Sequence, residues 1–519
     1  MFKVNKYLFL LLLSCAANAQ LNDSINLSKN EHFAEVKSFV WENPMIIKQL
    51  NLRNYTKTSV NIDFKDLNIK RQQTPEEVLN YNFSSEGLYH FSDKVSVFGD
   101  FSFTKQNEKN FGYNLSSNRT ENQMVLPTNY YYSPKKADWT NQFYAFNGGI
   151  VYDITEALAI GAKAKYRNEA LARKSDPRPK ITSNEMGFDG FIAYTLGKHT
   201  LQVGGLYNQK DELTTIYFEN TFLNPSSDPL YYIKLATGYG YNIYDNTYNK
   251  FNNVDLTKGF NAGYTFKSDT QAFSVFYEYS KSMNNFYQKN EFSSNSNTPI
   301  QTEENVRYKL RTISNKINAL YIKSFGKDQL IANAKINFSK QANFNTRTFI
   351  QNYQLKNQNL TLNVNYLKDS QTDSKTAFGT NIILDNLTAK DLLGMTNKQI
   401  NSLEFSIFAN KEFRLNKNNK LFAHLEAGTY QLLKNELDYK AITQDQDFAN
   451  NVIIHDHIYD GTSKLLTKAK LYYDIQLRKG KTLRVNIDYQ NLSALKNNKQ
   501  EQQINGTNHY INTGISIFY

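Results

Sequence analysis

Seven histidines (His32, His90, His199, His424, His455, His457 and His509) and a single cysteine, Cys15, bound the side-chain chemistry open to this 519-residue chain. The densest titratable motif is His455-Asp456-His457. On a strand the two imidazoles would share one face and could hold a transition metal. Asp460 lies close in sequence, but no third ligand is evident, and no metal is expected. Asp456-His457 also matches half of a protease constellation in which an Asp-His couple faces an Asp-Asp pair, yet Asp-Asp occurs nowhere in the chain. A lipid hydrolase needs a Ser-His couple on neighbouring strands; nothing in the spacing ties a serine to His424. The expectation is a non-enzymatic protein without a cofactor.

Charged residues at strand parity are candidates of another kind. Lys163, Lys165 and Arg167 interleave with Leu158, Ile160, Ala162, Ala164 and Tyr166, so five apolar and several basic residues point to opposite faces. Glu278, Arg484 and Asp488 hold the polar parity of two further segments. Inside a barrel these six would be lumen charges. They would favour anionic solutes if the lumen is open, or be neutralised, with Glu426, in a packed interior. Aromatic residues cluster in two polar stretches, Tyr130, Tyr131, Tyr132 and Trp139 in one, Tyr231, Tyr232, Tyr239, Tyr241, Tyr244 and Tyr248 in the other. Such side chains can stack on sugars or anchor a partner. An upper girdle at headgroup level combined with loop packing is the expectation.

The elements that must position these residues read as strands. Phe273, Val275, Tyr277 and Tyr279, then Leu360, Leu362, Val364 and Tyr366, then Leu483, Val485, Ile487 and Tyr489 repeat the period of two. Short turn-like joints such as Gly197-Lys198-His199, Lys267-Ser268-Asp269, Gly326-Lys327-Asp328 and Lys479-Gly480 link them in pairs. Longer polar stretches, roughly 105–141, 211–256, 283–304, 341–357, 386–401, 431–464 and 493–506, separate the pairs. Alternation of tight and long connections is the pattern of a transmembrane β-barrel with short periplasmic turns and long extracellular loops. About 18 strands fit, in a range of 16–18, from near Ser59–Lys65 to Tyr510–Tyr519. Val306–Phe325 reads as one tall strand or two short ones, and 230–241 as a strand above the membrane. The composition agrees: 36 Tyr and 35 Phe against 9 Pro, with a mean hydropathy of −0.60 and no apolar run after residue 20 long enough for a membrane helix.

Residues 1–19 carry the marks of an export signal: Lys3 and Lys6, the run Leu8–Leu13, and Ala17-Asn18-Ala19 before Gln20. A lipoprotein-type cleavage that lipidates Cys15 is the alternative. With Cys15 removed, disulfides and thiolate chemistry are excluded together. Residues 20–57 form an N-terminal periplasmic or plug segment, with Phe33, Val36 and Val40 at near-helical spacing before Pro44, and the barrel occupies 58–519. The alternating Ile511, Thr513, Ile515 and Ile517 end on Tyr519, a closing strand with a terminal aromatic. Trp41-Glu42-Asn43-Pro44 resembles the Asn-Pro-Ala segment of fatty-acid-transporter-like barrels, with Met45 in place of Ala. The whole mature chain resembles the outer-membrane barrels of Bacteroidota, which implies a cell outer-membrane location. Expected partners are lipid, lipopolysaccharide and the barrel assembly machinery, with docking of a second outer-membrane protein or surface lipoprotein as the alternative role; with a net charge of +12 but no concentrated basic stripe, nucleic acid is not among them. The functional expectation is a channel or transporter for small hydrophilic or amphipathic solutes.

Overall fold

The structure, a computed structural model, describes residues 27, 31–117, 130–220, 222, 228–237, 241–244, 250–289, 306–346, 348–369, 375–440, 446–477, 480–495 and 504–519. The expected signal and Cys15 lie outside the described residues. Strand β1 spans Tyr55–Leu67, β2 Glu77–His90, β3 Val95–Phe111, β4 Tyr130–Tyr132, β5 Ala137–Asp153, β6 Leu158–Arg173 and β7 Arg178–Leu196. Next come β8 (His199–Tyr217), β9 (Lys234–Thr237), β10 (Tyr241–Tyr244), β11 (Lys250–Lys267), β12 (Gln271–Lys289), β13 (Val306–Phe325) and β14 (Asp328–Asn345). The last are β15 (Tyr353–Asp369), β16 (Lys375–Asp391), β17 (Thr396–Arg414), β18 (Asn419–Tyr439), β19 (Lys464–Gln476), β20 (Thr482–Ala494) and β21 (Thr507–Phe518).

Eighteen of these pair in one antiparallel sheet that closes on itself, the expected number; β4, β9 and β10 form a separate small sheet. Closure runs through β1, where Ser59 lies opposite Ser84 of β2 on one side and Ser516 of β21 on the other. The Ser59 and Ser516 hydroxyls meet at 2.8 Å across that seam. A closed ring leaves no edge, so every strand can satisfy its backbone without water. Val306–Phe325 is one 20-residue strand. The expected strand at 230–241 is β9, displaced into the small sheet with β4 and β10. The wall begins at Tyr55, three residues before the expected boundary.

Tight hairpins gather at one end of the cylinder, here the turn end. At Gly197 and Gly326 the backbone has φ of +58° and +67°, which a side chain would strain. At the other, loop end, the connection expected at 386–401 is mostly strand, since β16 runs to Asp391 and β17 starts at Thr396. The stretch 341–357 contracts likewise, with β14 reaching Asn345 and β15 starting at Tyr353. Both differences have one cause: the strands continue past the apolar belt with polar residues outward, and those residues carry no loop signature of their own.

The outward face is greasy all round the cylinder. Val60, Ile62, Phe188, Ile192, Leu201, Val203, Phe260, Phe378, Ile407, Leu425, Ile487 and Ile515 are all exposed. Scattered apolar residues on a surface mean little, but a continuous belt of them on a closed barrel is a hydrocarbon-facing wall. The described helices include none long and apolar enough to cross a membrane; the crossing is made by strands.

A polar lumen closed at both ends as candidate functional site

The N-terminal segment folds into the lumen at the turn end. Helix α1 (Ala34–Glu42) buries Val36, Phe39 and Val40, spaced to share one face, and Pro44 ends it. These side chains, with Met45, Ile46 and Ile47, pack on inward residues of the wall that include Leu88, Phe98, Val151, Phe191, Ile322 and Ile331. Gly161 makes room for the plug, because a Cβ there would stand 2.7 Å from the Met45 sulfur. Polar contacts fix its orientation. Lys37 pairs with Glu86 at 2.5 Å, the Trp41 indole donates to Asp100 at 2.6 Å, and Glu42 accepts from Asn318 at 2.6 Å and from Lys335 at 3.2 Å. Trp41 and Pro44, the residues behind the Asn-Pro resemblance, are thus parts of an internal plug.

Three connections close the loop end. Tyr130 and Tyr132 on β4 pack against Tyr113, Tyr353, Phe448 and Val452, with the Tyr132 and Phe448 rings 4.5 Å apart. Tyr131 points the other way, stacked on Phe251 at 4.6 Å within a cluster that includes Trp139, Leu171, Ile181, Phe286 and Tyr308. Alternation along β4 therefore fills both halves of the mouth. Tyr130, Tyr131, Tyr132 and Trp139 are all essentially inaccessible. They belong to loop packing, and the girdle half of that expectation does not apply to them. Tyr231 and Tyr232 are partly buried beside them, with Lys135 over the Tyr231 ring.

Helical turns at Gln446–Phe448, Ala449–Ile454 and His455–Gly461 form the third part of this cap. His455 and His457 lie on a helix, so they do not share a face as strand residues would. Asp456 and Asp460, one turn apart, do share one. Arg71, from the β1–β2 connection, donates to Asp460 at 2.5 Å and approaches Asp456 at 3.5 Å. Lys398 of β17 reaches Asp460 at 2.6 Å, and Gln73 donates to Asp456 at 2.5 Å. The guanidinium also lies over the Tyr459 ring at 4.9 Å. Burial alone would raise the Asp460 carboxyl, but Arg71 and Lys398 outweigh it and hold it below the usual carboxylate range. We call this buried cluster the latch.

Between plug and cap lie two cavities. One, of about 940 Å³, is lined by Lys37, Lys163, Lys165, Arg167 and Lys316 and by Glu42, Asp100, Glu185, Asp189 and Glu278. The other, of about 930 Å³, lies between Glu35 of the plug and Tyr459 and Asp460 of the cap, beside Asp385, Glu404, Glu426, Lys464 and Lys468. Four of the six sequence-derived lumen charges, Lys163, Lys165, Arg167 and Glu278, meet in the first. Lys163 pairs with Asp189 at 2.6 Å, Lys165 with Glu185 at 2.7 Å and Glu278 with Lys316 at 3.0 Å. Arg484 lies elsewhere, held by both oxygens of Asp474 at 2.7 and 2.9 Å and flanked by the Tyr472 and Phe518 rings. Asp488 shares the inward parity of β20, opposite Lys470 and Asn512. The interior is both ion-paired and roomy, and in the first cavity five cations face five anions. Sequence reasoning missed the latch and the second cavity. Glu404, an acid between the apolar Leu403 and Phe405, was a parity signal for it, as was Glu426, which also lines it.

The chain belongs to a family of unknown function (DUF6850), whose model matches residues 44–519. No curated protein matches it. Among solved structures it is similar to the ferric preacinetobactin receptor BauA of Acinetobacter baumannii, with 9% identity over 90% of this chain and 80% of that one and a TM-score of 0.41. It is also similar to OccK7 (OpdD) of Pseudomonas aeruginosa, with 10% identity, coverage of 90% and 98%, and a TM-score of 0.30, and to the outer membrane transporter YddB of Escherichia coli, with 6%, 90% and 81%, and 0.38.

Proposed function

We propose that this protein is a gated outer-membrane channel or transporter for small hydrophilic or amphipathic solutes, with its turn end in the periplasm and its loop end outside. The observation that carries this reading is the pair of polar cavities in the lumen, one beside the plug and one between plug and cap. A scaffold with no cargo has no need of solvent-sized polar space at its centre. Five cationic and five anionic side chains line the first cavity, so its wall suits neutral or zwitterionic solutes better than the anions that the basic strand β6 alone would favour.

Transport requires that both closures yield. In planar bilayers the wild type should stay near the closed baseline. Asp460→Ala, which strands Arg71 and Lys398 as buried cations, combined with Phe39→Ala in the plug, should give discrete conductance steps. A doubly substituted barrel that is folded, by β-type circular dichroism and heat-modifiable migration, yet never conducts would overturn the proposal.

One observation favours a second reading, a barrel that docks another outer-membrane protein or a surface lipoprotein. Phe349 and Met395 are 77% and 53% exposed on adjacent loop tips, both with positive φ. Leu392 donates a backbone bond to Asn352 at 2.7 Å, tying the tips together. Purification in mild detergent that always returns the lone barrel would count against it.

A further inference from the structure

A basic arc crosses the outward wall just above the greasy belt. On β11, β12 and β14 an outward lysine directly follows an aromatic of the belt: Lys258 after Phe260, Lys281 after Tyr279 and Lys340 after Phe338, with Phe344 farther out on β14. Arg311 follows Ile313 on β13 in the same way, and Lys356 lies two outward steps beyond Leu360 on β15. All five are exposed. The register makes the arrangement costly. Lys258 is directly opposite Lys281, and Lys340 directly opposite Lys356. Ile313 is the residue between them, facing Lys281 on one side and Lys340 on the other. Like charges directly opposite on neighbouring strands destabilise a sheet. From these positions to the loop end, the outward residues of β11–β15 include no Asp or Glu, and the described residues provide none of the five with an ion-pair partner.

The adjoining strands β5–β8, of which β8 pairs with β11, handle the same height differently. The outward residue after the last apolar one is Gln142 on β5, Asn168 on β6, Asn184 on β7 and Gln209 on β8. These amides are satisfied locally: Asn168 donates to Asn184 at 2.6 Å, and Tyr207 donates to Gln209 at 3.2 Å. On these four strands neutral amides are enough for a polar rim. The cations of β11–β15 need an anion supplied from outside the chain.

We propose that this arc is a binding site for a multiply phosphorylated lipid headgroup of the outer leaflet. Four strand spacings of about 4.8 Å separate Lys258 from Lys356, a span of roughly 19 Å that can engage more than one phosphate at once. The belt below, with Phe260, Tyr279 and Phe338, supports the acyl chains of the same molecule. The site rests on the membrane placement of the barrel and is independent of any passage through the lumen.

The purified barrel, titrated in detergent with bis-phosphorylated lipid A and followed by native mass spectrometry, should bind it in preference to phosphatidylcholine. Inorganic phosphate alone should not compete at matched concentration. Lys340→Gln with Lys356→Gln should weaken lipid A binding about thirty-fold, at roughly five-fold per lysine. Lys105→Gln on β3, outward on the far side, should leave it unchanged. Equal binding by the double variant, or equal binding of the zwitterionic lipid, would overturn the site. Full competition by free phosphate would reduce it to a simple anion site and also refute the proposal.

Discussion

Arg71, Asp460 and Lys398 are each nearly sealed from solvent, and each has its charge answered by another chain segment. Such a cluster adds little net stability over a greasy equivalent, because desolvation consumes most of the attraction. Breaking one member is different, since it leaves buried charge unanswered. Asp460→Ala should cost the cap on the order of 3–5 kcal/mol, read as faster hydrogen exchange across 446–461 with the wall unchanged. Arg71→Met should cost less, because the Lys398–Asp460 pair survives it. The latch also has a pH dependence. Burial lowers the His457 pKa and nearby Lys398 lowers it further, so the stability it contributes as a neutral ring is complete above about pH 6.5. That contribution is lost as pH falls through the lowered value. The contribution of Asp460, also held low, is complete above about pH 3.9 and is lost as pH falls from there through its lowered value. Cap exchange should therefore accelerate in mild acid, and His457→Asn should remove that step while leaving the steeper loss in strong acid.

At the scale of elements, the plug helix is held by a few buried side chains at one mouth of the barrel and by polar contacts on its flanks. Nine residues are too few to make a stable helix alone, so α1 owes its form to the lumen. Phe39→Ala should release about 3–5 kcal/mol of docking, seen as loss of exchange protection over 34–47 with no change in barrel melting. A matched loss of protection across β1–β21 would show instead that wall and plug form one cooperative unit. The cap differs in construction, since its three connections contribute rings to shared clusters and its order should be lost as a whole.

For the whole molecule, the wall sets its own stability through the outward face. Val203→Arg, in the middle of the belt, should cost about 2–4 kcal/mol of unfolding free energy in lipid vesicles, while Gln209→Arg, beyond it, should cost about 0–1 kcal/mol. The wall was also the most legible part of the sequence. A period of two repeated in segments such as Leu158–Tyr166 and Leu483–Tyr489, broken by turn residues, determines strand, face and count together. The latch was illegible because it joins positions 71, 398 and 460 from two connections and a strand, and no local period links them. The burial of Tyr130–Tyr132 was half legible: their density marked the segment as special, but rings of that kind suit an interface and a core equally well. Parity alone puts the alternating charges of β6 on one face, whereas their partners Glu185 and Asp189, on β7, could be assigned only through register.

The seal at the loop end draws together residues far apart in the chain; the Tyr113 hydroxyl bonds to Asp447 across 334 positions. During biogenesis the cylinder must therefore be largely laid down before its outer stopper can exist. A polypeptide stalled between those two stages would be shut by the plug alone, so export that fails late should harm the envelope most when the plug is weakened as well.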